Sequence, residues 1–314
     1  MAEKDIVTKE YMSDNKVFAD AFNFFLYNGE QVIHPEQLHE LDTTAISLPF
    51  DTDGKSVALQ KFRDGIKAVV AMTDGQTAYF IIGNENQSDI NSAMVVRNML
   101  YDAIQYSSQV EEYSKKHKSE HDKPSEDGEF LSGFYKTDRL IPVITLTIYF
   151  GADEWDAPKS LYEMFNDYDK RLKRYIPNYW INLISPANIA DDDFTKFHTN
   201  LSAAMKYIKY SKDKNRLNDI VHSDEIYTHL DRRTANMINV VTGSKLDLKT
   251  GEESVDMCKA IEDMKKDSRD EGRVEGFLNA LASLVKDGIL TLADAAARAN
   301  MSVLEFCEKT GIKA

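Results

Sequence analysis

Asp64, Glu85 and Gln87 are oxygen-bearing side chains placed to hold a divalent cation. They flank two apolar runs, Gly65 to Met72 (GIKAVVAM) and Thr77 to Gly83 (TAYFIIG), whose Val, Ile, Tyr and Phe content predicts β-strands. Thr73-Asp74-Gly75-Gln76 lies between them and carries the Asp-Gly hairpin signal. With Asp74 and Gly75 as the two loop residues, Thr73 pairs with Gln76. Counting outward, Asp64 then falls opposite Glu85. Directly opposed residues of an antiparallel pair lie roughly 5 Å apart, and two carboxylates that close repel unless a cation sits between them. Gln87, two residues beyond Glu85, projects from the same side of an extended segment.

Such a set suits phosphodiester hydrolysis. That reaction needs a water made nucleophilic near neutral pH and a neutralised phosphate, and carboxylate-bound Mg²⁺ serves both needs. Mn²⁺ suits the same oxygen ligands. Gln87 would orient the water or a phosphate oxygen through its amide. A helix expected from about Asp89, capped by Ser88, would offer free N–H groups to a phosphate. Arg97 and Tyr101, one turn apart on that helix, are candidate contacts to a DNA backbone, and Arg63 beside Asp64 is a third. Asp20 sits on the polar side of an aromatic-rich helix, where a solvated acid is the default, and by turning inward it would complete the metal site.

These residues need a scaffold. Asp14 to Tyr27 (DNKVFADAFNFFLY) predicts an amphipathic helix, with Phe18, Ala21, Phe22 and Phe25 on one face and Asn28-Gly29 as its stop. Thr43 to Phe50 reads as a short strand, followed by the hairpin. The helix from Asp89 to about Lys116 carries an apolar stripe of Ala93, Val96, Leu100, Ala103 and Val110. Lys118 to Gly133, charged and holding Pro and Gly, reads as a mobile loop. Arg139 to Gly151 (RLIPVITLTIYFG) predicts a central, doubly covered strand, and Tyr179 to Ser185 another. The order helix, strand, strand, strand, helix, strand describes an α/β core with a mixed sheet.

From Asp193 the pattern turns helical, with candidates at Phe194 to Ser211, Asp224 to Asn239 and Ser254 to Glu271. In the tail, short helices are expected at Gly276 to Lys286 and Leu292 to Ala299. Ser302 starts a third, over Val303 to Thr310, which Gly311 closes. The expected divisions are a core over 1–190, a helical extension over 191–250, a charged helical linker over 251–275 and a small helical tail over 276–314. Leu290 to Gly311 has the look of a helix-turn-helix, with alanines where two helices approach. Its second helix holds Glu305 and Glu308 and only Lys309 as a base, which favours packing or homo-oligomerisation over DNA reading.

Composition bounds the rest. The 314-residue chain is 42% apolar and 29% charged, the balance of a globular protein. No run of about 18 apolar residues and no signal-peptide stretch is present, so a soluble cytoplasmic protein without membrane association is expected. Cys258 and Cys307 are too few for a disulfide framework or a cysteine-based zinc site. A net charge of −14 weighs against nucleic-acid binding, although basic clusters stand at 115–118, 170–174 and 206–216. Each is by default a solvated face.

The segments Asn15 to Asn23, Arg63-Asp64, Gly83 to Gln87 and Met94 to Asp102, with Pro142 to Tyr149 and Met257 to Ala260, resemble the recombination-promoting nuclease/putative transposase family of the PD-(D/E)xK nuclease superfamily. The resemblance runs from about residue 10 to the acidic linker. It implies a PD-(D/E)xK-like core and a Mg²⁺- or Mn²⁺-dependent DNA endonuclease linked to recombination or mobile elements. Asp64 and Glu85 become the metal-binding acids, Gln87 takes the place of the superfamily lysine, and Asp20 is the acid from the first helix. Arg63 stands where the superfamily name has proline, and Gln87 removes a charge from the transition-state site. The rival readings are a catalytically weak interaction protein that assembles through its tail, and a defence or toxin nuclease restrained by a partner.

Overall fold

A computed structural model describes residues 3–41, 70–84, 90–124, 127–244, 246, 248 and 253–312. The chain divides into two compact units, the larger holding residues 1–244 and 251–255 and the smaller 245–250 and 256–314.

In the larger unit, two helices, α1 (Glu3–Met12) and α2 (Asn15–Tyr27), precede a five-stranded sheet of β1 (His39–Glu40), β2 (Val70–Thr73), β3 (Ala78–Asn84), β4 (Val143–Tyr149) and β5 (Asn182–Ile184). The strands lie in chain order. β1, β2 and β3 form an antiparallel meander, whereas β3, β4 and β5 are parallel, so the sheet is mixed as expected. β4 is an interior strand between β3 and β5, with Leu146 and Ile148 fully buried, although the middle place in the sheet belongs to β3 rather than to β4 as expected. The expected strand over 43–50 lies outside the described residues.

Helix α2 forms where its sequence asks. Asp14 caps it by accepting from Lys16 N at 2.9 Å, Phe18, Ala21 and Phe22 are buried, and Asn28 ends it in the left-handed region at φ 55°. At Gly29, φ +94°, a Cβ would come within 2.7 Å of Lys196 O, so only glycine fits. Phe22 meets Tyr79 of β3 edge-on at 5.0 Å between ring centroids.

The opposite face of the sheet is covered by the crossover helix α3 (Met94–Glu120), whose Met94, Val95 and Tyr101 join Ala78, Phe80 and Val143 in one cluster. This face corrects an expectation. Of the stripe Ala93, Val96, Leu100, Ala103 and Val110, Val96 and Leu100 are each 41% exposed, while the buried positions are Met94, Val95, Asn98, Tyr101 and Ile104. Apolar residues recur on more than one face of this helix, and hydrogen bonds to β4 decide which face turns in. The helix also starts at Met94 behind Ala93, with Asn91 Oδ1 accepting Ala93 N at 3.0 Å.

The stretch expected to be a loop is partly helical. α3 runs on to Glu120 and α4 (Asp127–Ser132) follows. Gly133, φ +66°, closes α4 against α3, where a Cβ would meet Ser114 Oγ at 2.2 Å. The helical extension contains α5 (Leu201–Tyr210), α6 (Lys214–Ser223) and α7 (Arg232–Thr242), with a two-residue ladder between β6 (Leu230–Asp231) and β7 (Ser254–Val255). A chain of hydrogen bonds joins these helices to α2. Asp20 of α2, 1% exposed, accepts His198 N and Thr199 N, each at 2.9 Å, and Thr199 Oγ1 at 2.6 Å, just before α5. Asn200 Nδ2 donates to Asp231, which accepts Thr234 N at the start of α7.

The smaller unit has a single 30-residue helix, α8 (Met257–Lys286), where a linker and a separate short helix are expected. α9 (Leu292–Arg298) and α10 (Val303–Thr310) fold onto it around Leu278, Leu281, Ala282, Ala295, Ala296 and Phe306. The caps match the sequence reading, with Ser302 accepting Glu305 N and Gly311 left-handed at φ 70°. Cys258 of α8 and Cys307 of α10 form no disulfide.

Asp20→Ala leaves three donors beside a buried gap and should cost the larger unit about 2–4 kcal/mol. The expected melting point falls by roughly 5–15 °C in a thermal scan. An unchanged melting point would show that Asp20 does not join α2 to α5.

Candidate functional site

The β2–β3 hairpin tests the register that put Asp64 opposite Glu85. Thr73 pairs with Ala78 and Val70 with Ile81. Asp74 to Thr77 therefore form a four-residue loop, shifted by two from the register in which Thr73 met Gln76. Asp74 Oδ1 builds this loop by accepting both Gln76 N and Thr77 N at 2.8 Å, and Tyr79 OH donates to its other oxygen at 3.1 Å. An Asx-type turn of this kind takes more residues than the Asp-Gly pair needs. Arg63, Asp64, Glu85 and Gln87 lie outside the described residues.

Asp20 is held inside by His198 and Thr199, so the solvated default expected for it is corrected, and both its oxygens already accept hydrogen bonds. The network around it borders a cavity of ≈ 320 Å³. There Arg233 is tied to Asp14 at 2.9 Å and to Glu10 O at 2.8 Å. Tyr101 is also turned inward, 5% exposed, and its hydroxyl accepts from Arg97 Nε at 3.1 Å. Arg97 stays partly exposed beside it.

Along α3 the sequence reading missed a row of polar side chains that read β4 and the residues leading into it. Asn98 Nδ2 donates to Thr147 Oγ1 at 2.8 Å, and Thr145 Oγ1 donates to Asp102 Oδ1 at 2.5 Å. Val143 N donates to Tyr106 OH at 3.1 Å. Gln109 bonds both N–H and C=O of Ile141, and Tyr113 OH donates to Arg139 O at 2.9 Å. The helix descends about four residues for each two on the strand, with the two running antiparallel. Four helical residues rise about 6 Å and two strand residues about 6.6 Å, so the two repeats stay in step. The signal present in the sequence is the helical spacing of these residues. An apolar search discards it, because the members are polar or amphipathic.

Asp102 is the hub of this row. Its second oxygen accepts from Tyr179 OH at 2.6 Å, and burial pushes its carboxyl above the usual range despite the two hydroxyls. The Asn98 bond places the first turn of α3 beside the carboxyl ends of β3 and β4, since Thr147 is two residues from the end of β4 and Asn84, the last of β3, pairs with Tyr149. Ligands of parallel α/β sheets gather at this edge. Glu85 is the next residue of the chain.

At the far end of α3, His117 Nδ1 lies 2.9 Å from Asp122 Oδ2 and Nε2 3.0 Å from Asp138 Oδ2, with Tyr135 stacked on its ring at 3.8 Å. A carboxylate facing each nitrogen favours the doubly protonated ring. The hydrogen bonds to Asp122 and then Asp138 raise the His117 pKa. Asp138 is lowered: burial opposes this, but Tyr135 N and His117 outweigh it.

Comparison with protein-family models gives a match to the family described as "Putative transposase, YhgA-like", over residues 60–239, more than half of the chain. The chain belongs to this family. Membership links it to recombination or mobile elements and implies interaction with DNA. The family span takes in Asp64, Glu85, Gln87, Arg97 and the whole α3–β4 row, and leaves out Asp20 and the smaller unit's helices. Comparisons with curated proteins and with solved structures give no match.

The His117 clamp sets a pH dependence. Its folded pKa is raised, so the stability it lends is complete below the unfolded value of about 6.5 and is lost as pH rises through the folded pKa. The melting-point gap between wild type and His117→Gln should therefore narrow from pH 6 to pH 9. A gap independent of pH would rule out an imidazolium clamp.

Proposed function

We propose that this protein is a metal-dependent DNA endonuclease with a PD-(D/E)xK-like core. The observation that carries this reading is the family match spanning Asp64 to Gln87, together with a mixed sheet whose β3 ends at Asn84, the residue before Glu85 in the chain. Asp64 and Glu85 would hold Mg²⁺ or Mn²⁺. Two carboxylates are the hard oxygen donors those ions take. Among the described residues no group of three His, Cys, Asp or Glu could hold a metal ion. Asp20 is left to its packing role.

A bound ion would supply charge neutralisation on the phosphate and a more acidic water. Gln87 orients the water or a phosphate oxygen by its amide and brings no positive charge. Free N–H groups in the first turn of α3 favour a phosphate there. Arg97, braced against the Tyr101 ring with its guanidinium carbon 5.7 Å from the centroid, would meet the DNA backbone, and Arg63, next to Asp64 in the sequence, is a further candidate for that contact. No helix among the described residues is long and apolar enough to cross a membrane, and action on DNA assigns the protein to the cytoplasm.

The reading as an interaction protein draws on exposed apolar groups. In the smaller unit Phe277 is 51% exposed, Ile289 67% and Leu304 73%, which suits self-association through the tail.

Supercoiled plasmid incubated with Mg²⁺ or Mn²⁺ should be nicked by wild type. Asp64→Ala and Glu85→Ala should each lower the rate by at least about 100-fold, the scale of losing a charge-stabilising group. Equal cleavage by all three proteins, or none by wild type, would remove the endonuclease assignment. For the tail, Phe277→Glu/Leu304→Glu should reduce the solution mass to that of one chain by light scattering; a wild-type mass already at one chain would discard self-association.

A further inference from the structure

The row of basic residues at 170–174, by default a solvated face, has a feature that solvation does not require. The segment from Lys170 to Trp180 (KRLKRYIPNYW) carries Lys170, Arg171, Lys173 and Arg174 and no carboxylate, in a chain of net charge −14. Asp169 occupies Arg171 alone, at 2.8 Å to Nε. Among the described residues no carboxylate pairs with Lys170, Lys173 or Arg174. Two aromatic rings of this segment stand in the open, Tyr175 at 68% exposure and Trp180 at 61%, whereas Trp155, the other tryptophan, is 5% exposed.

The presentation of these rings is fixed from behind. Leu161 N donates to Tyr179 O at 2.9 Å and Ile181 N to Lys159 O at 3.0 Å, with Ser160 bridged to Trp180. Tyr179 turns inward to Asp102, so alternation along this extended stretch turns Trp180 outward. Tyr162 OH sits 2.5 Å from Ile176 O and 2.9 Å from Lys173 O, which ties down the 3₁₀ turn over Lys170–Tyr175. The Arg174 guanidinium carbon lies 4.6 Å from the Tyr175 centroid, and Lys173 Nζ 4.8 Å from that of Tyr162. Cations held beside open rings provide phosphate contacts and stacking faces in one place.

We propose that this surface binds single-stranded nucleic acid, with Lys170, Lys173 and Arg174 on the phosphates and Tyr175 and Trp180 stacking on unpaired bases. It rests on the DNA reading above for its ligand class and is separate from the Asp64 and Glu85 chemistry. A single strand fits better than a duplex. The rings need bases free of a partner, and a 3₁₀ turn of six residues offers no recognition helix for a major groove.

The test uses the full chain with Trp155→Phe, leaving Trp180 as the sole tryptophan, titrated in EDTA with an oligothymidylate. The proposal expects saturable quenching of Trp180 fluorescence. Affinity should drop by about tenfold or more in Tyr175→Ala, on the scale of one lost stacked base. Lys170→Ala/Lys173→Ala/Arg174→Ala should flatten the salt dependence by about 2 in the slope of log K against log salt. Circular dichroism melts of these surface variants should match wild type, which separates lost binding from lost folding. Absent quenching, equal affinity for a duplex, unaltered affinity in both folded variants, or quenching by anionic vesicles but not by the oligonucleotide would each overturn it. Quenching retained in Asp64→Ala beside a plasmid that no variant cuts would leave this surface standing and discard the endonuclease alone.

Discussion

The larger unit depends on a match of lengths between a helix and a strand. Asn98, Asp102, Tyr106, Gln109 and Tyr113 of α3 take hydrogen bonds with successive alternate residues from Thr147 back to Arg139. Because four helical residues and two strand residues differ in rise by only about 0.6 Å, the contacts stay aligned along much of the helix, with one three-residue step from Tyr106 to Gln109. The Asn98–Thr147 pair is buried and the Asp102, Tyr106 and Gln109 pairs are partly so; such pairs add little net stability each, but leaving a buried one unpaired is costly. They therefore fix which face of α3 turns inward. Apolar burial then follows on the same face through Met94, Val95 and Tyr101, and Val96 and Leu100 are left outside.

The consequences spread from Asp102. Through Tyr179 it fixes the strand that pairs with residues 159–161, which in turn aims Trp180 at solvent. Through Thr145 it fixes β4, whose parallel pairing with β3 positions the chain where it leaves Asn84 toward Glu85. One partly buried carboxyl thus lies behind both the proposed catalytic edge and the proposed single-strand surface. The −14 net charge is offset locally at the proposed single-strand surface, where among the described residues no carboxylate pairs with Lys170, Lys173 or Arg174. The field felt by a nucleic acid at contact is dominated by charges within about a Debye length of 8–10 Å.

A second polar chain organises the helices. Asp20, Thr199, Asn200, Asp231 and Thr234 pass hydrogen bonds from α2 to α5 to α7, and Asp231 also caps α7. An acid that the PD-(D/E)xK resemblance assigns to metal binding is here occupied by backbone amides of a distant segment. The α2 caps and the aromatic face of that helix remain as the sequence dictates.

Local chemistry was legible from the sequence alone. The α2 helix with its Asp14 and Asn28 ends, the Ser302 cap and Gly311 stop of α10, the strand character of β3 and β4, the mixed sheet and the family follow from side-chain propensities, caps and motifs. The caps, helix ends and strand character are each set by residues within a few positions of one another, whereas the mixed sheet follows from the order of the elements. The inward face of α3 was decided only in three dimensions, because it is chosen by partners some 30 to 50 residues away in the chain, as Asn98 by Thr147 and Gln109 by Ile141. The two-residue shift of the hairpin came from Asp74 accepting amides across the turn, which outweighs the Asp-Gly preference for a tighter loop. The burial of Asp20 came from donors 178 and 179 positions away, a distance over which no local periodicity carries information.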